Sequence, residues 1–136
     1  MSRPSWDNIW MDFAYKIAQR SVDPKHKVGA VIVNDENTQV LSIGYNGDQK
    51  GGANRRDSLS HGASGFIHAE INALIKCDYN YGKKKKMYLT LSPCKICAKA
   101  IVNAGIDEVI YSEVYEASNG LAILKEAGIS VKAYPR

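Results

Sequence analysis

The sequence predicts an α/β domain of three layers: a mixed five-stranded sheet with helices on both faces. Three observations predict it. Apolar runs of strand length alternate with stretches whose apolar residues recur at helical spacing. The first two strands are joined by a short turn, which makes them antiparallel. The last three strands are each joined to the next by a helix, and such crossovers make strands three, four and five parallel.

Each element follows from local chemistry. Ser5 is a natural N-cap. Ile9, Trp10, Phe13, Ala14, Ile17 and Ala18 then recur at helical spacing, so residues 6–20 are expected to form an amphipathic helix, ended by Asp23-Pro24. Val28 to Val33 is nearly all apolar, as in a central strand buried on both faces. Asn34-Asp35-Glu36-Asn37 is a turn, and Val40 to Tyr45 is the second strand. Residues 46–66 show no period and carry five glycines, a loop long enough to be functional or disordered. Helical spacing resumes over 67–78 through Ile67, Ile71, Leu74 and Ile75, placing His68 and Glu70 in the first turn. Met87 to Leu91 is the third strand, and Pro93 opens the next helix. Val109 to Tyr111 is the fourth strand. Ser118 to Ala127 is a helix closed by Gly128, and Ile129 to Ala133 is a fifth strand at the sheet edge.

Composition narrows the class. A chain of 136 residues is the size of one domain, so residues 1–136 are read as a single unit. There is no signal peptide and no apolar run of membrane-spanning length. Two of the three cysteines sit in a C-x-x-C pair and only Cys77 is left over, which argues against a disulfide framework and fits a reducing cytoplasm. Cys77 reads as a small apolar residue on a helix. The net charge of +4 suits an anionic substrate but does not by itself argue for nucleic acid. Lys83-Lys84-Lys85-Lys86 is the single charge run and reads as a solvated loop.

The chemistry concentrates in two stretches, His68-Ala69-Glu70 and Pro93-Cys94-Lys95-Ile96-Cys97. His68, Cys94 and Cys97 make three soft or borderline donors, a set that suits Zn²⁺. Three protein ligands leave a fourth tetrahedral position for water, as catalytic sites do. Cys94 and Cys97 stand at i and i+3, on one helix face. The positive end of that helix favours their thiolates. Glu70, two residues from a ligand, is placed to carry protons rather than to bind the ion. A lone C-x-x-C also occurs in structural and redox sites, and H-x-E alone is common by chance. The two in this order are far more specific.

H-x-E followed by P-C-x-x-C is the signature of zinc-dependent deaminases, and the chain is identified by it as a member of the cytidine deaminase-like superfamily. Further stretches resemble the deoxycytidylate (dCMP) deaminase branch. They are Arg3-Pro4-Ser5-Trp6-Asp7, Gln19 to Pro24, Val28 to Val33, Gly44-Tyr45-Asn46-Gly47, Met87 to Ser92 and Ala98 to Gly105. A parallel fifth strand also fits this branch. The resemblance covers nearly the whole chain except residues 48–66, where Asp48-Gln49 stand in place of the family's frequent Met-Pro.

The resemblance implies hydrolytic deamination of dCMP to dUMP and ammonia, in pyrimidine deoxynucleotide metabolism. Zinc-activated hydroxide would attack cytosine C4, with Glu70 as proton shuttle. The Ala69 N–H would hold the base O2, the Ser92 carbonyl would accept from the 4-amino group, and Tyr115 would lie over the substrate. A core tyrosine after a strand is the alternative for Tyr115. Asn46 resembles a sugar-contacting asparagine, and is equally a turn former beside Gly47. Arg55 and Arg56 either reach the 5′-phosphate or are solvated, and Lys50 adds to the charge of that loop. Some family members hold a second, structural zinc in this loop. Here it offers His61 and no cysteine, so one Zn²⁺ per chain is expected, with His61 and His26 as surface or loop histidines.

The family implies a homohexamer activated by dCTP with Mg²⁺ and inhibited by dTTP, with Arg3, Tyr45 and Gly47 near the regulatory site. A dual dCMP/dCTP deaminase is the alternative that the altered loop leaves open. A tRNA or nucleic-acid base deaminase on the same fold would call for a basic, aromatic-lined surface. The compact chain and its N-terminal motifs argue against that. A non-enzymatic zinc module would not need Glu70.

Overall fold

The computed structural model describes residues 2–60 and 62–136. His61, expected to be a loop histidine, lies outside the described residues. The first helix, α1 (Trp6–Ala18), begins where Ser5 stands in an extended conformation and its side chain accepts from the Asn8 N–H at 3.1 Å. Two antiparallel strands follow, β1 (Gly29–Asn34) and β2 (Val40–Tyr45). After the loop come α2 (Ala69–Lys76), β3 (Lys85–Leu91), α3 (Lys95–Asn103), β4 (Glu108–Glu113), α4 (Leu121–Glu126) and β5 (Ser130–Ala133).

The sheet order is β2-β1-β3-β4-β5, with β1 antiparallel to β2 and β3, and with β3, β4 and β5 parallel. This is the expected mixed sheet, with β5 at an edge. Every residue of β1 is buried, because helices cover both faces of it. On one face α1 sets Met11 and Ala14 against Val31, Val33, Tyr88 and Ile110. On the other face Ala69, Ala73, Ala98, Ile101 and Leu124 from α2, α3 and α4 pack on Ala30, Ile32, Met87 and Leu89. Cys77 closes α2 and packs against this second core.

Alanines at those helix positions bring the backbones close, and glycines on the sheet bring them closer. A Cβ on Gly44 would lie 2.4 Å from the Ala69 carbonyl oxygen, so only glycine lets β2 pass under the first turn of α2. Gly29 makes the same allowance for α1, where a Cβ would meet the Ala14 carbonyl oxygen at 2.0 Å.

Two expectations are corrected here. The lysine run is not a solvated loop throughout. Lys83 and Lys84 are exposed, but β3 starts at Lys85, and Lys85 and Lys86 are 3% and 8% exposed. The Lys85 ammonium donates to the Ala104 carbonyl at 3.2 Å and that of Lys86 to Asn37 Oδ1 at 2.8 Å. Long aliphatic stems let both charges reach polar partners while the strand stays buried. The last helix is also shorter than 118–127. It starts at Leu121, because the Gly120 N–H is turned to the Pro93 carbonyl at 2.8 Å and Asn119 Oδ1 takes the Leu121 N–H.

The sheet's arrangement fixes where a site forms. The C-terminal ends of β2, β3 and β4 and the start of β1 lie at one edge, as the Gly29–Tyr45 pairing and the Gly29 N–H to Thr90 Oγ1 bond of 3.1 Å show. The crevice beyond the carboxyl ends of parallel strands is where α/β folds bind ligands.

Candidate active site

The metal-type residues come from two helix N-termini brought to that edge. His68 is the N-cap of α2, one residue before its first turn rather than in it, with extended backbone and no side-chain cap bond. Its neighbour Ile67 exchanges two backbone hydrogen bonds with Gly47, at 3.1 and 2.9 Å, which anchors the approach to α2. Cys94 is the N-cap of α3, so the helix opens after Pro93-Cys94, and its Sγ accepts from the Cys97 N–H at 3.4 Å. His68 Nδ1 lies 3.2 Å from Cys97 Sγ and 3.6 Å from Cys94 Sγ. The three donor atoms all fall within 4.8 Å of one another.

The donor set tests the metal assignment. Burial lowers the His68 pKa, keeping an imidazole nitrogen available as a neutral donor. Burial pushes the Cys97 thiol up, and the Glu70 and Cys94 charges push it further. At Cys97, then, burial works against the thiolate that the helix end was expected to favour. A bound cation reverses that local balance. One imidazole and two sulfurs, converging without a fourth donor in the cluster among the described residues, fit Zn²⁺ with a position left open.

Glu70 is 4% exposed, beside this cluster in the first turn of α2. Burial pushes its carboxyl up to about 7, against hydrogen bonds from its own backbone N–H and from Cys97 that pull it down. A carboxyl that changes protonation near neutrality is suited to passing protons in both directions.

His68, Glu70 and Cys94 line one cleft. Of the residues anticipated from sequence, Asn46, Arg56, His68, Ala69, Glu70, Ser92, Cys94 and Tyr115 all line it. Tyr115 follows β4, and its N–H donates to Ser92 Oγ at 2.7 Å, so these two are set by each other. Asn46 is not a simple turn former. Its Oδ1 accepts from the Val28 N–H at 2.9 Å, and its Nδ2 donates to the His26 carbonyl at 2.8 Å and to Asp23 Oδ2 at 3.3 Å. Arg56 is not solvated: it pairs with Asp23 at 2.9 Å, and the two side chains are 6% and 4% exposed.

Other anticipated residues stand elsewhere. Arg55 and Arg3 are exposed. Tyr45, Gly47 and Lys50 line a second cleft, together with Arg20 and Lys76, and Asn46 borders both clefts. Sequence reasoning missed Asp23, Val28, Ser64 and Leu91 as lining residues, and placed His26 only on the surface. Asp23 was visible only as the Asp-Pro that ends α1; its partner Arg56 lies in a loop with no period to read.

A family model for the cytidine and deoxycytidylate deaminase zinc-binding region matches residues 4–113. The chain belongs to the cytidine and deoxycytidylate deaminase family. Among members of this deaminase family, the deoxycytidylate deaminase of Homo sapiens is 37% identical over 142 residues, covering 95% of this chain and 79% of the human one. That of Saccharomyces cerevisiae is 36% identical over 146 residues, and there the chain spans 46% of the relative's length. The solved dCMP deaminase of the cyanophage S-TIM5, in complex with dCMP and dUMP, superposes with a TM-score of 0.83 at 29% identity, covering 98% of this chain and all of that one.

Proposed function

We propose that the chain, as a single domain over residues 1–136, catalyses hydrolytic deamination of dCMP to dUMP and ammonia. One observation carries this reading: the buried Glu70 carboxyl stands beside the His68, Cys94 and Cys97 cluster, at a cleft that His68, Glu70 and Cys94 line. Family membership supports it, as does the likeness to a phage enzyme solved with dCMP and dUMP.

His68, Cys94 and Cys97 hold Zn²⁺ in this reading. The ion, when bound, supplies the Lewis acidity that brings the pKa of water from about 16 to about 7. Glu70 takes the first proton from water and delivers it to N3 of the cytosine as the C4–O bond forms; it then carries the second proton, from the C4 hydroxyl, to the amine as the C4–N bond breaks, leaving the C4 carbonyl of dUMP and free ammonia. The Ala69 N–H holds the base O2, and the Ser92 carbonyl accepts from the 4-amino group. Tyr115 covers the ring, oriented by its bond to Ser92. Asn46 has both Nδ2 hydrogens engaged, so its contribution to the sugar is the remaining lone pair of Oδ1, accepting from a hydroxyl. Arg56 serves the 5′-phosphate.

Regulation is part of the same reading: a homohexamer activated by dCTP with Mg²⁺ and inhibited by dTTP. The cleft holding Tyr45 and Gly47, with Arg20, Lys50 and Lys76, supplies cations for an effector phosphate, whereas Arg3 is not among its lining. A reducing cytoplasm suits the three free cysteines. No helix among the described residues is long and apolar enough to cross a membrane.

The test is turnover by the zinc-loaded protein on dCMP, dCTP, deoxycytidine and a short oligonucleotide. The reading expects dUMP from dCMP as the fastest reaction. Faster reaction with dCTP would replace it with a dual-specificity enzyme, and reaction only with the oligonucleotide would overturn it.

A further inference from the structure

Of the ion pairs among the described residues, Arg56–Asp23 is the one with both side chains buried. Such a pair is weak evidence of a stabilising role, because desolvating two charges offsets most of their attraction. Its place in the cleft lining suggests another use.

The Asp23 carboxylate does three things at once. Its Oδ1 accepts from Arg56 Nη1 at 2.9 Å and from the Lys25 N–H at 2.8 Å. Its Oδ2 accepts from Asn46 Nδ2 at 3.3 Å. One buried carboxylate therefore orients two cleft residues from different segments, Asn46 at the end of β2 and Arg56 in the 46–66 loop. The loop is folded around the guanidinium as well. Arg56 Nε donates to the Ser58 carbonyl at 2.9 Å, Nη2 to the Ser60 carbonyl at 3.4 Å, and Lys25 Nζ returns from the Asp23 side to the Leu59 carbonyl at 2.7 Å. A guanidinium has five N–H donors. Among the described residues three are used in these bonds, which leaves two on a fixed, charged group that lines the cleft.

We propose that Asp23 is a positioning residue for substrate selection: it holds the Arg56 fork so that the cleft prefers a nucleoside carrying a 5′-phosphate over the bare nucleoside. The inference rests on the dCMP reading for its substrate but concerns only the phosphate preference. Asp23 needs no contact with the substrate. Its charge holds the guanidinium in one orientation, and the two remaining N–H groups give a phosphate a two-point contact that a bare hydroxyl does not fill.

The test compares affinity by calorimetry for dUMP and deoxyuridine, with the zinc-loaded wild type, Asp23→Asn and Arg56→Lys, alongside kcat and KM on dCMP and deoxycytidine. Wild type should bind dUMP at least tenfold more tightly than deoxyuridine. Both variants should lose most of that ratio, with dUMP affinity and KM for dCMP affected far more than deoxyuridine affinity and KM for deoxycytidine, and with zinc content close to wild type. Arg56→Lys keeps the charge but not the fork and tests the two-point contact; Asp23→Glu, which keeps the charge but shifts the carboxylate, should also lose the ratio and tests the positioning if Asp23→Asn fails to fold. An equal loss on both ligands, or an unchanged ratio in the folded Asp23 variant or in Arg56→Lys, would overturn the proposal. Wild type that deaminates dCMP without preferring the phosphate overturns the inference and spares the function. Phosphate preference without turnover does the reverse.

Discussion

Gly44 and Ala69 are in direct backbone contact: a Cβ on Gly44 would lie 2.4 Å from the Ala69 carbonyl oxygen and 2.5 Å from the Ala73 nitrogen. Ala69 is the residue between His68 and Glu70. The floor of β2 therefore sets the height of the helix turn that carries both groups. Gly44→Ala should push α2 outward, with an overpacking cost of about 1–3 kcal/mol. Thermal unfolding should show the loss, and a zinc titration should show weaker metal retention, since His68 moves relative to Cys94 and Cys97. Wild-type zinc affinity in this variant would separate the helix height from the metal site.

Asp7 ties the far face together. Its carboxylate accepts from the Tyr88 hydroxyl at 2.6 Å and from Lys132, linking α1 to β3 and β5. Burial raises its pKa, but hydrogen bonds from Lys132 and Tyr88 and the Lys132 and Lys86 charges outweigh burial and hold it below its ordinary 3.8. A carboxylate depressed in the folded state contributes stability above its unfolded pKa, and the contribution is lost as pH falls through the folded value. Asp7→Asn should cost roughly 1–2 kcal/mol at neutral pH. The gap to wild type should shrink only as the pH drops below about 3.8. Urea midpoints from pH 7 down to pH 2 check this; a gap that widens in acid would contradict the sign.

The lysine run divides in two. Lys83→Ala and Lys84→Ala should change stability by no more than about 0.5 kcal/mol, as exposed substitutions do. Lys85→Ala removes a buried donor to the Ala104 carbonyl and should cost about 1–3 kcal/mol. Equal effects across the run, read from urea denaturation, would mean that β3 begins later than Lys85.

Much of this architecture was legible in the residues. Val28 to Val33 is apolar at nearly every position because both faces of β1 are covered, and a turn or helix between strands settled each strand's direction. The clustering of His68, Cys94 and Cys97 was legible because His68 and the C-x-x-C pair sit at helix starts, where short spacings already place side chains together. Lys85 and Lys86 were misread because charge reports on the tip of a lysine while the stem decides its burial. Asp23 escaped notice for another reason. Its partners Arg56 and Asn46 are 33 and 23 residues away, and no local period links them.

Removing a metal ligand should behave differently from removing the proton carrier. Cys94→Ala leaves two donors and also deletes the sulfur that accepts from the Cys97 N–H. The purified variant should hold well under one zinc per chain and unfold at lower temperature, because metal binding and folding are coupled. Full zinc occupancy in Cys94→Ala would mean that the ion sits elsewhere.

The most direct measurement is dCMP turnover and zinc content in Glu70→Gln, a near-isosteric change that removes proton transfer but leaves His68, Cys94 and Cys97 in place. One zinc per chain, a retained fold, and turnover reduced by at least about 100-fold, the range general acid–base catalysis supplies, are expected. Near-normal turnover, or loss of zinc from the folded variant, would contradict the assignment of Glu70 as proton carrier beside a His-Cys-Cys metal centre.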